Sequence, residues 1–348
     1  MRYFKLILTF LALFTGLLAN NFRQNSNVIL ITLDGVRWQE FFDGDDPFLN
    51  DDVADAYLGE SFPIFWNNHA KNSTIYGNLK SKSPMTVNGI PVSLPGYKSI
   101  FLGHNHNCRN NSCDRVLTET FPERIARELH LDKYQVAGFA SWGKIELALE
   151  HDPGNIFVNT NITDVDDETD DPIIDSLNAL QKSDPPKGWG GARRDIYTWA
   201  HGMHYLQKHR PRFLYIGLDD SDEYGHKNQY ESYLASLHQY DKWIDELISQ
   251  LKTMGEYGKN TTIIITTDHG RGKKKRWTGH ADFSWNRHLL TGKHIWCTVL
   301  GNQVNPLGIV KKIKGKSHQS IRPTVELLFG LTPSQPEKAL LEAFNSFK

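Results

Sequence analysis

The chain has 348 residues, with 39 Lys or Arg against 40 Asp or Glu and a formal net charge of −1. That balance excludes the strongly basic surface of a nucleic-acid binder. The length suits one large α/β domain with an insertion, or two domains.

Arg2 and Lys5 make a short basic start, and an apolar run of 13 residues follows from Leu6 to Leu18. Ala19 and polar Asn20 and Asn21 come next. This is the layout of a secretory signal peptide cut near Ala19. The run is shorter than the ~20 residues that span a bilayer. The expectation is a secreted or periplasmic protein, residues 20–348, with no stable membrane insertion after cleavage. Loss of Arg2 and Lys5 leaves 37 basic residues against 40 acidic ones, a charge of about −3.

Five apolar runs have strand length: NVILITL (27–33), QVAGFAS (135–141), RFLYIGL (212–218), TTIIITT (261–267) and IWCTVLG (295–301). Between or after them, 120–130, 230–255 and 320–330 carry apolar residues at helical spacing. Continuous apolar strands alternating with helices predict a mostly parallel sheet covered on both faces. Ligand sites in such folds lie beyond the carboxyl ends of the strands. Residues 154–195 depart from the pattern, acidic first and then rich in Gly and Pro. They read as a solvated loop first, or as a surface excursion or lid over the sheet, and not as a separate domain. Cys108 and Cys113 lie five apart and are spaced to close a small loop in an oxidising compartment. Cys297 sits in an apolar run and reads as a buried thiol.

The chemistry-bearing residues fall at the ends of these runs. The first strand ends on Asp34-Gly35, and the fourth on Asp268-His269-Gly270. After the third comes DDSDEYGH, in which Asp222 and His226 are four apart, on one face of a helical turn or of a tight loop. His280 closes GRGKKKRWTGH. Each alone has a plain reading as a turn acid, a helix cap or a surface imidazole. Together, three Asp and three His are a ligand set for Zn²⁺ or a related divalent ion. Six ligands suit two sites of about three each. A two-ion site needs a hydroxyl between the ions, and VNGIPVSLPGYKSIFLG offers Ser93 at or before a helix N-terminus. Ser93 as a simple helix cap is the alternative.

The ordered set LDGVRW, SLPGY, DEYGH, TTDHGRG and TGH, closing with IRPTVELLFGLTP, resembles the alkaline phosphatase superfamily across residues 27 to about 334. It most resembles the type I phosphodiesterase/nucleotide pyrophosphatase branch. The resemblance implies an alkaline-phosphatase-like three-layer α/β sandwich forming one catalytic domain. It implies two divalent ions, Zn²⁺ first and Mn²⁺ as the alternative. One ion would be held by Asp222, His226 and His280. The other would be held by Asp34, Asp268 and His269, with Ser93 as a further ligand. Ser93 would attack phosphorus and form a phosphoserine. Asn111, inside CRNNSC, matches an Asn that donates to a phosphate oxygen, and a disulfide between Cys108 and Cys113 would hold it still. Lys144 in SWGKIE matches a phosphate-binding Lys.

Three departures bear on the reaction. Many members of the branch have Thr where Ser93 stands. Sulfatases carry Arg four residues after their nucleophile, where this chain has Tyr97. Glu146 replaces the Arg that accompanies the Lys of strict monoesterases. The mutase branch carries a large domain inserted soon after its nucleophile, for which this chain lacks room. The expected substrate is a small phosphate ester of nucleotide or phospholipid type, cleaved at a diester or pyrophosphate bond. A phosphomonoesterase or phosphotransferase, and an inactive metal-stabilised binding protein, are the alternatives. No nucleic-acid binding is expected. The basic run 271–276 reads as a solvated loop that draws anions at most. Arg193 and Arg194 are within reach of a substrate phosphate on this reading, and Trp142, Trp189 and Trp277 are candidates to stack on it or to pack in the core.

Overall fold

The computed structural model describes residues 26–49, 61–189, 192–273, 276–280 and 292–345. The signal-like segment lies outside the described residues. Among them, no helix is long and apolar enough to cross a membrane.

The strands in chain order are β1 (Asn27–Leu33), β2 (Ser73–Tyr76), β3 (Met85–Thr86), β4 (Val136–Ala140), β5 (Phe157–Thr160) and β6 (Phe213–Leu218), then β7 (Thr261–Thr266), β8 (His294–Ile295), β9 (Cys297–Leu300), β10 (Gly308–Ile309) and β11 (Lys316–Ser317). Eight of the described strands form one sheet in the order β10-β2-β9-β7-β1-β6-β4-β5, and β11-β3-β8 form a small second one. β1 runs parallel to both its neighbours, with Ile31 opposite Ile216 on β6 and Ile265 on β7. β4 continues the parallel set on β6. β9 is antiparallel to β7 and β2, so the sheet is mixed at one side.

Every residue of β1 is buried. Its side chains alternate between two apolar layers, as a pleated strand requires. Ile29, Ile31 and Leu33 pack with Trp199, Tyr233, Leu237 and Leu247. Val28 and Leu30 pack with Leu94, Tyr97, Ile125 and Val325 on the other face. The helices Asp195–His209 and Tyr230–Thr253 cover the first face, and Ser93–Leu102, Phe121–Glu128 and Ile321–Leu328 the second. The fold is the three-layer α/β/α sandwich. The Tyr230–Thr253 helix buries Tyr233, Leu237, Tyr240, Ile244, Leu247 and Leu251, spaced three or four apart.

The stretch 154–195 is more structured than an excursion. β5 extends the main sheet at its edge beside β4. The helix Pro172–Ser183 follows, and Asp171 accepts the Ile173 N–H at its head at 3.0 Å. The acidic run is tied down by the helix behind it, with Lys208 and His204 each 2.8 Å from Asp171 and His209 2.7 Å from Asp167. These partners lie 33 to 42 residues away, so no local pattern announces them. A four-residue strand such as β5 is likewise too short to show a period.

Trp296 anchors the first apolar layer. It is 0% exposed, stacks on Phe41 with ring centroids 3.7 Å apart, and donates its indole N–H to the Val36 carbonyl at 3.2 Å. Trp296→Ala is expected to cost about 3–5 kcal/mol in denaturant unfolding. Leu117→Ser, at a side chain 85% exposed, is expected to stay within about 0.5 kcal/mol.

Candidate metal centre

Asp34 follows β1 directly and is 0% exposed. Its Oδ2 accepts the Tyr97 phenol at 2.8 Å, and its Oδ1 has no hydrogen-bond partner. Asp268 and His269 follow β7 by one residue and are also 0% exposed. Asp268 Oδ1 accepts the backbone N–H groups of Gly35 (3.0 Å) and His269 (2.8 Å), while its Oδ2 is unpartnered. The two unpartnered oxygens converge on one nitrogen: His269 Nε2 lies 3.5 Å from Asp34 Oδ1 and 3.3 Å from Asp268 Oδ2. His269 Nδ1 is 3.0 Å from the Gly270 carbonyl. That bond puts the ring proton on Nδ1 and turns the Nε2 lone pair toward the carboxylates.

Asp222 and His226 lie on the short helix Asp220–His226 after β6. The helix is aimed by Asp195, whose carboxylate accepts the Asp219 and Asp220 N–H groups at 2.8 Å each. Asp222 Oδ1 is 3.9 Å from His269 Nε2, and Asp222 Oδ2 is 3.0 Å from His226 Nε2. His280 stacks on His269 at 4.0 Å between ring centroids. His280 Nδ1 is 2.6 Å from the Pro91 carbonyl, which leaves its Nε2 as the ligand nitrogen.

Two compact ligand groups result, Asp34–Asp268–His269 and Asp222–His269–His280, each with its ligand atoms within 4.8 Å of one another. The first is the trio expected for one ion. In the second, His269 takes the place expected for His226. His226 remains beside it, bonded to Asp222 but with its side chain 47% exposed, and its ring centroid is 5.1 Å from that of His280.

Ser93 opens the helix Ser93–Leu102 as its first residue, after Val92 as N-cap. It does not cap the helix. That role falls to Asn111, whose Oδ1 accepts the Leu94 N–H at 2.9 Å. Ser93 Oγ is thereby free to approach His269 Nε2, at 3.2 Å. Gly96 lets this helix lie against β7's end, since a Cβ there would stand 2.6 Å from the Asp268 carbonyl oxygen. Cys108 and Cys113 form a disulfide that closes the loop carrying Asn111. Lys144 Nζ reaches the Asn111 carbonyl at 2.6 Å, so it braces the same loop.

Burial and mutual repulsion set the charges here. Desolvation, with Asp268 and Asp222 adding to it, holds the Asp34 carboxyl well above the usual range. Asp268 is also raised, by burial and then by Asp222. Burial and His280 push the His269 imidazole far down, and burial lowers His280. Asp222 is the exception. Burial opposes its ionisation but is outweighed by Arg271 and His226, so it lies well below the usual range.

Arg271 corrects the expectation of a solvated basic loop. It is 1% exposed and donates to Asp222 Oδ1. Its position directly after Asp-His-Gly was the available signal. Arg193 is likewise not free to meet a substrate, being 0% exposed and bonded to Asn159 Oδ1 (2.6 Å) and Thr198 Oγ1 (2.8 Å). Trp277 is buried and donates to Asn228 at 2.6 Å, and Trp189 lies buried beneath Arg194 and Lys227. Trp142 is half-buried and pairs through its backbone with Ala192. Asp195 was not singled out by its sequence context, because its partners follow 24 and 25 residues later.

Residues 199–332 match the family model of the Metalloenzyme superfamily. This stretch carries Asp222, His226, Asp268, His269 and His280. Solved structures of similar fold include a putative sulfatase from Bacteroides thetaiotaomicron, with TM-score 0.59 and 14% identity over 90% of this chain and 73% of that one. Another is a protein of the alkaline phosphatase superfamily from Vibrio parahaemolyticus, with TM-score 0.58 and 12% identity over 91% of this chain and 69% of that one. The chain shares the alkaline-phosphatase-like fold of these structures, and residues 199–332 carry the Metalloenzyme match. A lipoteichoic acid synthase from Listeria monocytogenes shares the fold at TM-score 0.56 and 13% identity, over 94% of this chain and 80% of that one. Among curated proteins, a phosphopentomutase of Sodalis glossinidius is 27% identical over 124 residues, and one of Clostridium kluyveri 33% over 78. Those stretches are 36% and 22% of this chain but only 26% and 18% of the relatives' own length.

The Metalloenzyme model matched by residues 199–332 implies divalent metal ions, and the residues present fit them. Two buried, unpartnered carboxylate oxygens face an unprotonated imidazole nitrogen, an oxygen and nitrogen donor set suited to Zn²⁺ or Mn²⁺. Without ions, the raised Asp34 and Asp268 make the folded chain bind more protons than the unfolded one. Lowered His269 and His280 oppose this until the unfolded imidazoles are neutral, so stability of the chelator-treated protein is expected to fall as pH rises above about 6.5. Asp268→Asn should raise the thermal midpoint of that metal-free protein at pH 8. It should also abolish most of the stabilisation that added Zn²⁺ gives the wild type.

Proposed function

We propose that the protein is an exported, metal-dependent hydrolase of phosphate esters, acting on diester or pyrophosphate bonds through a phosphoserine at Ser93. Residues 20–348 form its one catalytic domain on this reading. The observation that carries it is the position of Ser93 Oγ, 3.2 Å from the nitrogen on which Asp34 and Asp268 converge.

Bound ions would supply the positive charge that ionises the Ser93 hydroxyl near neutral pH and steadies the leaving oxygen. Ser93 Oγ attacks phosphorus in line, and the leaving oxygen departs on the far side. Water then cleaves the phosphoserine and frees Ser93. Asn111 spends its Oδ1 on the Leu94 N–H, so its amide NH₂ is left to donate to a phosphate oxygen. The ten-residue Ser93–Leu102 helix turns its N-terminus toward the same charge. Lys144 fixes the Asn111 loop through a backbone carbonyl. Tyr97 is committed to Asp34 at 2.8 Å. It cannot serve the ester as the sulfatase Arg does, which favours phosphate over sulfate.

A second reading keeps the phosphoserine but hands the phosphoryl group to another hydroxyl. The phosphopentomutase relatives favour it, within the short stretch they share. Turnover of bis(p-nitrophenyl) phosphate against p-nitrophenyl phosphate, with and without glycerol as acceptor, separates the two. The hydrolase reading expects the diester to be preferred and inorganic phosphate or a monoester to accumulate. Preferred monoester turnover with transfer to glycerol would favour the second reading.

Ser93→Ala is expected to lower kcat at least about 10³-fold while leaving bound metal in place. Asn111→Ala should cost about 10²-fold in kcat/KM. Wild-type protein that binds metal but turns over neither substrate would be a binding protein instead.

A further inference from the structure

The two ligand groups differ in one respect that their residue types do not show. Asp34 Oδ1 and Asp268 Oδ2 are buried and unpartnered, and among the described residues neither carboxylate meets a Lys or Arg. Asp222 already has a cation. Arg271 Nη1 donates to Asp222 Oδ1, the same oxygen that faces His269 Nε2 at 3.9 Å. The other Asp222 oxygen faces His226 at 3.0 Å.

Arg271 is built into this place. It is 1% exposed, its Nε donates to the Trp277 carbonyl at 3.0 Å, and its Nη2 donates to the Thr278 carbonyl. Those carbonyls lie two and three residues before His280. One guanidinium thus ties Asp222, on the helix after β6, to the turn that delivers His280. Gly225 makes room for it, since a Cβ there would stand 2.6 Å from the guanidinium carbon.

We propose that Arg271 is a positioning residue that fixes Asp222 and His280 ahead of any ion and, by taking part of the Asp222 charge, makes the two halves of the centre unequal. The Asp34–Asp268–His269 half takes its ion first and holds it tightly. The Asp222–His280 half takes a second ion weakly and exchanges it. The physical reason is direct. A carboxylate oxygen shared with a guanidinium is a poorer donor, and a fixed positive charge repels a second cation at short range. The opposite half has two buried carboxylate oxygens with no Lys or Arg beside them among the described residues. This inference rests on the metal reading above.

The test is a Zn²⁺ titration of chelator-stripped, full-length protein against a chromophoric chelator, with bis(p-nitrophenyl) phosphate turnover followed on the same samples. Two ions are expected, with dissociation constants at least about tenfold apart. Asp268→Asn should remove the tighter class and His280→Ala only the weaker one. Arg271→Met should narrow the gap by strengthening the weaker class, with the tighter constant unchanged. If Arg271→Met does not fold, the wild type and the other two variants decide. Two equal constants with turnover intact would overturn the inference and leave the hydrolase reading standing, as would His280→Ala removing the tighter class. Failure to bind zinc at all would overturn both.

Discussion

Two carboxylates that lack a Lys or Arg counter-charge, Asp34 and Asp268, meet a single buried imidazole nitrogen at the ends of β1 and β7. Burying such oxygens without partners costs several kcal/mol in an apolar interior. A proton on each acid, or a bound cation, relieves that cost. The rest of the site is arranged around this unmet demand. Tyr97 and the Gly35 and His269 N–H groups occupy one oxygen of each acid and leave the other aimed inward.

The sheet makes the convergence possible. β7, β1 and β6 are adjacent and parallel, so their carboxyl ends open on one rim. Asp268-His269, Asp34 and the Asp220–His226 helix leave that rim within a few residues of the last strand pair. The Ser93–Leu102 helix then packs over it from the second apolar layer. Its first turn is held by Asn111 instead of by its own serine. The serine hydroxyl, which would cap a helix elsewhere, is released for chemistry. The disulfide between Cys108 and Cys113 and the Lys144 contact stiffen the loop that provides this substitution.

What was legible in the sequence follows from the range of the forces involved. β1 and β7 are continuous apolar runs, and their ends were marked by acids beside glycine. The candidate ligands could therefore be read as a set once six Asp and His residues fell at strand ends or beside a glycine. The helix Asp220–His226 was implied by the spacing of Asp222 and His226. β5 and the helix Pro172–Ser183 were not legible, because a short edge strand has no period and its acidic run is held by Lys208, His204 and His209 from a later helix. Arg271 was missed because a run of basic residues signals solvent, whereas the first of this run turns inward, onto an acid 49 residues earlier. That His269 stands nearer Asp222 and His280 than their order along the chain suggests, with His226 half-exposed beside them, was beyond reach for another reason. Such placement depends on tenths of an ångström, not on order along the chain.

The central claim is that these side chains form one two-ion centre with Ser93 at its edge. Anomalous diffraction from crystals of the zinc-loaded protein, recorded on both sides of the zinc absorption edge, tests it most directly. The account predicts two zinc peaks, one bounded by Asp34, Asp268 and His269 with Ser93 Oγ adjoining, and one against Asp222 and His280. Peaks that avoid Asp34 and Asp268, or a Ser93 hydroxyl turned away from the metal, would contradict it.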